Sequence, residues 1–414
     1  MNRIVSFFLF VFGTLCALSA EESGKIEVSV LTCSPGQEVY SLYGHTAIRV
    51  QDEENGTDLV FNYGIFDFNS KHFVWRFVLG QTDYMCMAVP YADFVREYGE
   101  RGSRVTAQVL DLHDGESLKV RDYLMHNIRK ENRVYRYNYL TNNCTTRVMD
   151  CIDDCVDGTI VYSWENGSRT YRQMMHEYTV SYQWVQDGED LLLGSDVDTL
   201  LAPKATCFIP EYYSKALSGA VVRKEFKDTR RLVRKTYDIV EPSSVKVHKG
   251  GEFPLSPSEL GWLFFGAGLL VLCAEHFSRR MFWLLDVVLM LAHGLAGSLI
   301  LFVFLFSAHP TLDSNWLVAV LNPLPLVALP FVVKAAWNGR RTLWHHFMAV
   351  WLALFLLFIP WMPQQMGMLV VPLLATLLVR QVSYLLHYRY TGGGRTAMTK
   401  SGKNRKHRKT GKTK

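Results

Sequence analysis

The chain has 414 residues, of which 49% are hydrophobic, and a formal net charge of +5. This length suggests two or three domains, and the apolar residues concentrate in the second half of the chain. Because the excess positive charge is largely explained by a C-terminal run of Lys and Arg, we interpret it as a feature of membrane topology and anionic-lipid contact, not as a nucleic-acid site. A solvated tail that only fixes topology is at least as good an interpretation.

The N-terminus has the layout of a cleavable secretory signal. A short positive start with Arg3 precedes an apolar run at residues 4–17, and a stretch of small residues follows. This pattern predicts a signal peptide at residues 1–20. Leu15 stands directly before Cys16, where a lipoprotein signal needs a small residue, so Cys16 is expected to leave with the signal.

The next part of the chain, residues 21–214, has the pattern of a soluble mixed domain. Two β-like runs flank Asn55-Gly56, and both of these residues accept positive φ, which favours a tight hairpin. His45 is therefore expected at the far end of this hairpin, and Asn62 on its returning strand. Further patterns are a strand at 26–31, helices at 91–98 and 115–129, and a short strand at 133–139.

The stretch YLTNNCTTRVMD at residues 139–150 places a cysteine at the start of a predicted helix. Asn142 or Asn143 is a good N-cap, so Cys144 would lie in the first turn. There the helix dipole and the backbone N–H groups stabilise a thiolate and make the sulfur nucleophilic, and a nearby N–H can serve an oxyanion. A buried structural thiol is the alternative. Cys151 and Cys155 fit a buried helical stripe, with a local disulfide as a lesser alternative.

The other cysteines and histidines are expected to be structural. Six cysteines are predicted outside the cytoplasm: Cys33, Cys86, Cys144, Cys151, Cys155 and Cys207. If Cys144 is free, at least one other thiol is unpaired. Four histidines besides His45 are interpreted as surface or partly buried side chains: His72, His113, His126 and His176. No pair of Cys or His residues has C-x2-C or H-x3-H spacing, so no metal site is predicted.

A basic segment at residues 215–257 precedes the apolar half of the chain. Its cations include Arg223, Lys224, Lys227, Arg230, Arg231, Arg234 and Lys235. On the outer side of a membrane this segment would face lipid headgroups. A charged strand-and-turn surface is an equal alternative.

Five apolar stretches follow, at about 260–274, 281–306, 316–333, 343–362 and 367–386, and they define a membrane domain at residues 258–388. Lys and Arg lie between spans one and two, between three and four, and in the tail at residues 389–414, whereas residues 307–315 and 363–366 contain neither. Because short cytoplasmic loops are enriched in Lys and Arg, the C-terminus is predicted inside and the soluble domain outside the cytoplasm.

Four motifs occur in a fixed order ahead of these spans: LTCSPGQEVYSLYGHTAIRV, FNYGIFDF, YRYNYLTNNCTTRVMD and DLLLGSDVD. Together with the five spans they resemble the Lnb-type lipoprotein N-acyltransferases over nearly the whole mature chain. The order of a strand-leading His, a polar residue on the next strand and a helix-opening NC also resembles the circularly permuted NlpC/P60 superfamily. The implied fold is α+β: a permuted NlpC/P60, papain-like periplasmic domain followed by an all-α five-span transmembrane domain.

This resemblance implies a multi-pass enzyme of the bacterial inner membrane, with its N-terminal domain in the periplasm and its C-terminus in the cytoplasm. Such an enzyme takes an acyl chain from a membrane glycerophospholipid, holds it as a cysteine thioester, and transfers it to the α-amine of the diacylglyceryl-cysteine of a lipoprotein. The implied partners are therefore the phospholipid donor, the diacylated lipoprotein acceptor and the membrane. No cofactor and no nucleic acid are implied.

The same resemblance assigns residue roles. Cys144 matches the motif cysteine and His45 the motif histidine. The third polar position fits Asn62 best, with Asp67 as the alternative because the strand register is uncertain. Tyr43 and Arg147 lie inside the matched motifs and are candidate substrate-binding residues.

Two other functions use the same residues. A membrane-tethered cysteine peptidase or amidase of the cell wall would have the same catalytic groups, although one span would suffice to tether it. A non-catalytic envelope scaffold would keep Cys144 as a core thiol. Within the spans, the polar residues Asp286, His293 and Asn322 are candidates for a lipid entry route or for a structural role.

Overall fold

The computed structural model describes residues 26–66, 71–165, 167–224, 228–242, 253–338, 340 and 342–390. The predicted signal peptide, Asp67 and nearly all of the basic tail lie outside these residues. The described chain divides into two compact units. The first contains the described residues up to Phe73, Gln81–Ser168, and those of Leu201–His248; the second contains Val74–Gly80, Arg169–Leu200 and the described residues from Lys249 onward.

Ten strands are described. They are β1 Ile26–Cys33, β2 His45–Asp52, β3 Thr57–Ile65, β4 Asp83–Pro90, β5 Val105–Leu110, β6 Val134–Arg136, β7 Thr159–Val161, β8 Val221–Lys224, β9 Asp228–Arg231 and β10 Val233–Val240. Seven form one antiparallel sheet in the order β10-β5-β1-β2-β3-β4-β6, and β7-β8-β9 form a second sheet. Within the basic segment, Val221–Lys224, Asp228–Arg231 and Val233–Val240 are therefore strands of these sheets, as the strand-and-turn alternative predicts.

Twelve α-helices are described. They are α1 Phe73–Val78, α2 Tyr91–Arg101, α3 Asp114–Asn127, α4 Cys144–Cys155, α5 Tyr171–Thr179, α6 Gln183–Leu192, α7 Pro210–Ser218, α8 Pro257–Ser278, α9 Trp283–Phe306, α10 Leu324–Trp337, α11 Leu343–Phe358 and α12 Val370–Tyr390. The helices predicted near residues 91–98 and 115–129 are confirmed as α2 and α3. The fold class is thus α+β, with a sheet-rich first part and a helical second part.

The large sheet of the first unit is covered on both faces, which explains why its central strands are apolar along most of their length. On one face, residues such as Ile48 and Phe61 pack with Val120 of α3 and Val148 of α4. On the other face, Ala47 and its neighbours pack against Phe94 and Tyr98 of α2. The β2–β3 hairpin turns at Gly56, which has φ 61°, as the Asn-Gly pair predicts.

The second unit contains five helical segments long and apolar enough to cross a membrane: Pro257–Ser278, Trp283–Phe306, Trp316–Trp337, Leu343–Trp361 and Val370–His387. These confirm the five predicted spans. The third is not a continuous α-helix, because a 3-10 turn at Trp316–Ala319 is separated from α10. The exposed carbonyl groups at this break are satisfied internally, as an apolar medium requires. His293 Nε2 donates to Val320 O at 2.7 Å, and Asn322 Nδ2 donates to Ala319 O at 3.1 Å.

A buried ion cluster joins the first, second and fifth spans. The guanidinium of Arg380 donates to both oxygens of Glu275 at 2.9 Å and to Asp286 at 2.9 and 3.1 Å. Arg380 and Glu275 are each only 1% exposed. Charged groups inside a membrane domain require partners of this kind. The contacts of Asp286, His293 and Asn322 are those that the structural alternative predicts.

The two loops that contain no Lys or Arg contact one segment of the second unit, residues 187–198. Asn315 Nδ2 donates to Leu191 O at 2.8 Å, and Gln364 Nε2 donates to Leu193 O at 3.1 Å. The N–H of Leu369, just ahead of α12, donates to Asp187 at 3.0 Å. Loops that follow the second and the fourth span therefore lie on the same side of this unit, as an alternating path of five spans requires.

Candidate active site

Three side chains from separate elements meet at one end of the large sheet. His45 is the first residue of β2, where it pairs with Cys33 of β1. Asn62 lies on β3 opposite Ala47, which is two residues beyond His45 on β2. His45 Nε2 and Asn62 Oδ1 are 3.1 Å apart. Since an amide oxygen only accepts, His45 carries its proton on Nε2 in this contact, and Nδ1 is left for the Cys144 sulfur.

Cys144 begins α4, and the residue before it holds that helix end in place. Asn143 Oδ1 accepts the N–H groups of Thr145 and Thr146 at 2.8 and 3.0 Å, so Asn143 is the N-cap. Its Nδ2 donates to Tyr139 O and Phe208 O at 2.9 and 2.8 Å. The sulfur is thereby fixed at the positive end of the helix dipole, which favours the thiolate.

The electrostatics of His45 and Cys144 are those of a mutually stabilised ion pair. Burial by itself raises the pKa of the Cys144 thiol, but the charge and hydrogen bond of His45 outweigh it, so the pKa is lowered below its ordinary value of 9.0. Burial by itself lowers the pKa of His45, but the thiolate charge and the hydrogen bonds to Cys144 and Asn62 raise it. Both shifts favour the thiolate–imidazolium form of the pair over its neutral form.

Two threonines contact the nucleophile from the other side. Thr46 and Thr145 are fully buried, their hydroxyl oxygens are 3.1 Å apart, and Thr145 Oγ1 is 3.9 Å from the sulfur. A backbone hydrogen bond from Thr46 to Cys144 also lowers the thiol pKa. The N–H groups of Thr145 and Thr146 bind Asn143 Oδ1 and are directed away from the sulfur. The Thr46 N–H, which donates to the sulfur in the resting site, is the better candidate to move to a developing oxyanion.

Gly64 and the aromatic ring of Tyr137 lie beside the Cys144 side chain. A β-bulge interrupts the β3–β4 pairing between Asn62 and Ile65, and Gly64 within it has φ 86°. A Cβ at Gly64 would lie 3.8 Å from Cys144 Cβ and 3.9 Å from the ring of Tyr137. Any larger side chain at this position would therefore compete with a substrate for the space next to the nucleophile.

A row of aromatic side chains begins at Tyr137. The rings of Tyr137 and Tyr84 stack with centroids 4.1 Å apart, those of Tyr84 and Phe66 at 5.0 Å, and those of Phe66 and Phe73 at 6.0 Å. Burial and the charge on Cys144 both raise the pKa of Tyr137, which keeps its phenol neutral. The row is thus an uncharged, largely apolar surface that starts at the nucleophile.

The remaining predicted residues have other positions. Arg147 Nε donates to Asn142 Oδ1 at 2.6 Å, and its guanidinium lies 4.5 Å from the centre of the Tyr135 ring, so it holds the chain ahead of α4. Tyr43 is half-buried two residues before His45. The structure therefore brings together His45, Asn62 and Cys144, whereas Arg147 contacts Asn142 and Tyr135.

The other thiols and histidines do not join the site. All cysteines among the described residues are free. Cys33, Cys86, Cys151, Cys155 and Cys207 are buried, whereas Cys144 is partly accessible. Burial raises the pKa of Cys86 and Cys207 to about 12. His126 contacts Asn132 at the end of α3, and His176 Nε2 is 2.9 Å from Asp190 in the second unit.

Sequence reasoning missed Thr46, Thr145, Gly64 and Tyr137. Thr145 follows the cysteine in the NCTT stretch and Thr46 follows the histidine, so both adjoin residues that were already candidates. Adjacency alone did not reveal their contact, because the two hydroxyls are 99 positions apart in the chain.

Comparisons with known proteins give two matches, each to part of the chain. Residues 20–178 match the model of the Lnb N-terminal periplasmic domain. Residues 248–391 match the model of the Lnb transmembrane domain. Neither the curated proteins nor the solved structures contain a match.

Proposed function

Because the chain belongs to the Lnb family and is a multi-pass membrane protein with a periplasmic, enzyme-like domain, we propose that it is a cysteine-dependent lipoprotein N-acyltransferase. It moves a fatty acyl chain from a membrane glycerophospholipid to the α-amine of the diacylglyceryl-cysteine of lipoproteins. The observation that carries this proposal is the position of His45 between Cys144 and Asn62, together with pKa shifts of Cys144 and His45 that favour thiolate and imidazolium.

In the first half-reaction the Cys144 thiolate attacks the ester carbonyl carbon of the phospholipid. The new C–S bond places a negative charge on the carbonyl oxygen, to which the Thr46 N–H is placed to donate a hydrogen bond. Collapse of this intermediate breaks the bond to the glycerol oxygen. His45 donates its Nδ1 proton to that oxygen, and the products are a lysophospholipid and a thioester on Cys144.

In the second half-reaction the α-amine of the lipoprotein attacks the thioester carbon. Neutral His45 removes a proton from the amine nitrogen, the C–N bond forms, and the C–S bond breaks. The leaving sulfur returns as thiolate beside imidazolium, so the starting pair is regenerated. A covalent carrier suits this transfer, because donor ester and acceptor amine need not be bound in reactive contact at the same time.

Asn62 is proposed to orient His45 throughout both steps. Its Oδ1 accepts the Nε2 proton at 3.1 Å, and its Nδ2 donates to Val60 O at 3.3 Å, so the amide cannot turn without losing a second bond. This role is the one that a third residue has in such triads. We propose Asn62 for it in preference to Asp67, which lies outside the described residues.

The aromatic row of Tyr137, Tyr84, Phe66 and Phe73 is proposed to receive the acyl chain. It begins next to the sulfur, carries no charge, and therefore suits an alkyl chain better than a peptide. This preference separates the acyltransferase from a cell-wall peptidase or amidase, which would bind polar peptide at the same nucleophile.

The proposed domain plan keeps the permuted NlpC/P60 type for the periplasmic part at residues 21–214, a basic segment at 215–257, five spans at 258–388 and a cytoplasmic tail at 389–414. Support for the permuted type comes from a strand-leading His45, Asn62 on the next strand and Cys144 opening a later helix. Within this plan, Arg169–Leu200 group with the spans. A cytoplasmic C-terminus is supported by the shared side of the two loops that lack Lys and Arg.

The decisive experiment incubates the purified full-length protein in phospholipid bilayers without acceptor. One acyl chain should appear on the peptide that contains Cys144, removable by neutral hydroxylamine, with an equal amount of lysophospholipid. Cys144→Ser should lose turnover, whereas Cys207→Ser is a matched control at a buried thiol and should acylate normally. Unmodified Cys144 together with cleavage of cell-wall peptides would favour the hydrolase instead.

A further inference from the structure

The short helix α1 is attached to the periplasmic-side end of the second span, α9. Three carbonyl groups at its C-terminal end are bound by the chain that follows α9. Ser307 Oγ donates to Val78 O at 2.8 Å, and the N–H of Ala308 donates to Leu79 O at 2.8 Å. His309 Nε2 donates to Phe77 O at 2.6 Å. Carbonyls at a helix end need such partners, so these bonds fix the position of α1.

Gly80 allows the chain after α1 to lie very close to the loop that follows α9. Its φ is 65°, and an added Cβ would lie only 2.4 Å from the backbone nitrogen of His309. No side chain other than hydrogen fits between the two backbones at this point. The chain after α1 therefore packs directly on the loop that ends the second span.

The depth of α1 follows from one aromatic contact. The rings of Trp75 and Phe302 have centroids 5.3 Å apart. Phe302 lies four residues before Phe306, the last residue of the span, which corresponds to about 6 Å along a helix. Trp75 therefore lies level with the apolar part of the span and not with the loop beyond it.

The outward face of α1 is strongly apolar. Val74 is 74% exposed, Trp75 56% and Phe77 47% within the protein. The neighbouring surface of α9 also exposes large apolar side chains, among them Leu299 and Phe306. A soluble surface rarely presents such a continuous patch, whereas a helix lying in the membrane interface requires one.

We propose that α1 lies in the outer leaflet of the membrane, with Val74, Trp75 and Phe77 against the acyl chains of phospholipids. The leaflet is the outer one because residues 74–80 fall inside the part of the chain that matches the periplasmic domain. The lipid contact is independent of Cys144 chemistry, and its role in supplying the acyl donor rests on the proposed function.

Depth-dependent fluorescence quenching tests the location of α1. The full-length protein is placed in nanodiscs of phosphatidylcholine brominated in the acyl chains, and the emission of Trp75 is taken as the difference between wild type and Trp75→Phe. This difference should be quenched by the brominated lipid and protected from aqueous iodide. The matched control is Trp164→Phe, which removes a tryptophan packed on Tyr162 in the first unit and should leave the brominated-lipid quenching unchanged. Quenching of Trp75 by iodide but not by brominated lipid would overturn the proposal.

A second measurement separates this inference from the catalytic proposal. Val74→Ser changes a side chain that is 74% exposed, so folding should be retained. Acylation of Cys144 from bilayer phospholipid should slow several-fold, whereas acylation from a short-chain water-soluble ester and alkylation by iodoacetamide should not change. An equal rate from bilayer phospholipid would contradict a role of α1 in lipid supply. Absence of acylation in the wild type would instead contradict the proposed function, while the quenching result still decides where α1 lies.

Discussion

At the scale of single residues, the site depends on opposing effects of burial and charge. Burial alone would raise the pKa of Cys144 and lower that of His45, which would leave both groups neutral. Their contact reverses the direction of both pKa shifts, because the thiolate and the imidazolium stabilise each other by charge and hydrogen bonding. Burial also raises the pKa of Cys86 to about 12, and there the hydrogen bond from Tyr63 and the charge of Arg147 do not offset it. The hydrogen bond and charge of His45 therefore distinguish Cys144 from Cys86.

Replacement of His45 by Ala should move the alkylation profile of Cys144 to higher pH. In the wild type, thiolate is present below the ordinary thiol pKa and is lost only as the pH falls through the lowered pKa of Cys144. Without imidazolium the pKa rises, and each unit of rise reduces the thiolate fraction at neutral pH by about tenfold. The measurement is the rate of iodoacetamide modification of the Cys144 peptide between pH 5 and 9.

His126→Ala is the matched control, since this exposed histidine contacts Asn132 and not the thiol. Its alkylation profile and its acylation activity should equal those of the wild type, and His72→Ala, His113→Ala and His176→Ala should also retain acylation. An unshifted profile in His45→Ala would show that another group lowers the thiol pKa.

At the scale of elements, the start of α4 is held by a single amide. Asn143 binds two helix N–H groups with its oxygen and two carbonyls from separate segments with its nitrogen. It is only 4% exposed, so water does not replace these bonds when they are lost. The position of Cys144 consequently depends on the Asn143 cap as well as on α4, the helix that Cys144 begins.

Asn143→Ala should loosen the first turn of α4 by about 1–2 kcal/mol, which is the usual cost of losing an N-cap. Amide hydrogen exchange of the full-length protein should then be about 5–30-fold faster in peptides covering residues 144–148. Thr170→Ala is the matched control, because Thr170 caps α5 through the Gln173 N–H and should affect exchange only there. Unchanged exchange at the start of α4 would mean that tertiary packing alone holds it.

At the scale of the whole molecule, the membrane part is held by polar contacts at both ends of its spans. Residues 187–198 bind the loops after the second and fourth spans, and Arg380 joins Glu275 and Asp286 among the first, second and fifth. Tyr384 of the fifth span donates to Arg340 O in the loop between the third and fourth spans. Each set of contacts requires its loops to share one side of the membrane.

Reporter fusions should reproduce this arrangement. A periplasm-dependent reporter fused to a chain that ends at Asn315 should be active, and the same reporter fused after the complete chain should be inactive. A cytoplasm-dependent fluorescent protein at the two positions is the control and should give the opposite pattern. Periplasmic activity after the complete chain would contradict the five-span topology.

The sequence by itself determined the features that depend on nearby residues. Asn-Gly at 55 and 56 determined the hairpin, the Asn-Asn pair ahead of Cys144 determined a helix start, and apolar runs determined five spans. Each of these signals is complete within about twenty residues, since turn geometry, capping and hydropathy act locally. His45, Asn62 and Cys144 were accordingly identifiable as candidates before their distances were known.

Only the tertiary structure decided how distant segments combine. It brought the hydroxyl groups of Thr46 and Thr145 into hydrogen-bond contact and directed His45 Nε2 to Asn62. It also paired Asp286 with Arg380. It also attached α1 to the second span and grouped Arg169–Leu200 with the membrane helices. These contacts depend on strand register and on packing between residues tens to hundreds of positions apart. A local sequence pattern does not encode them, because each residue could equally well contact many other residues of the chain.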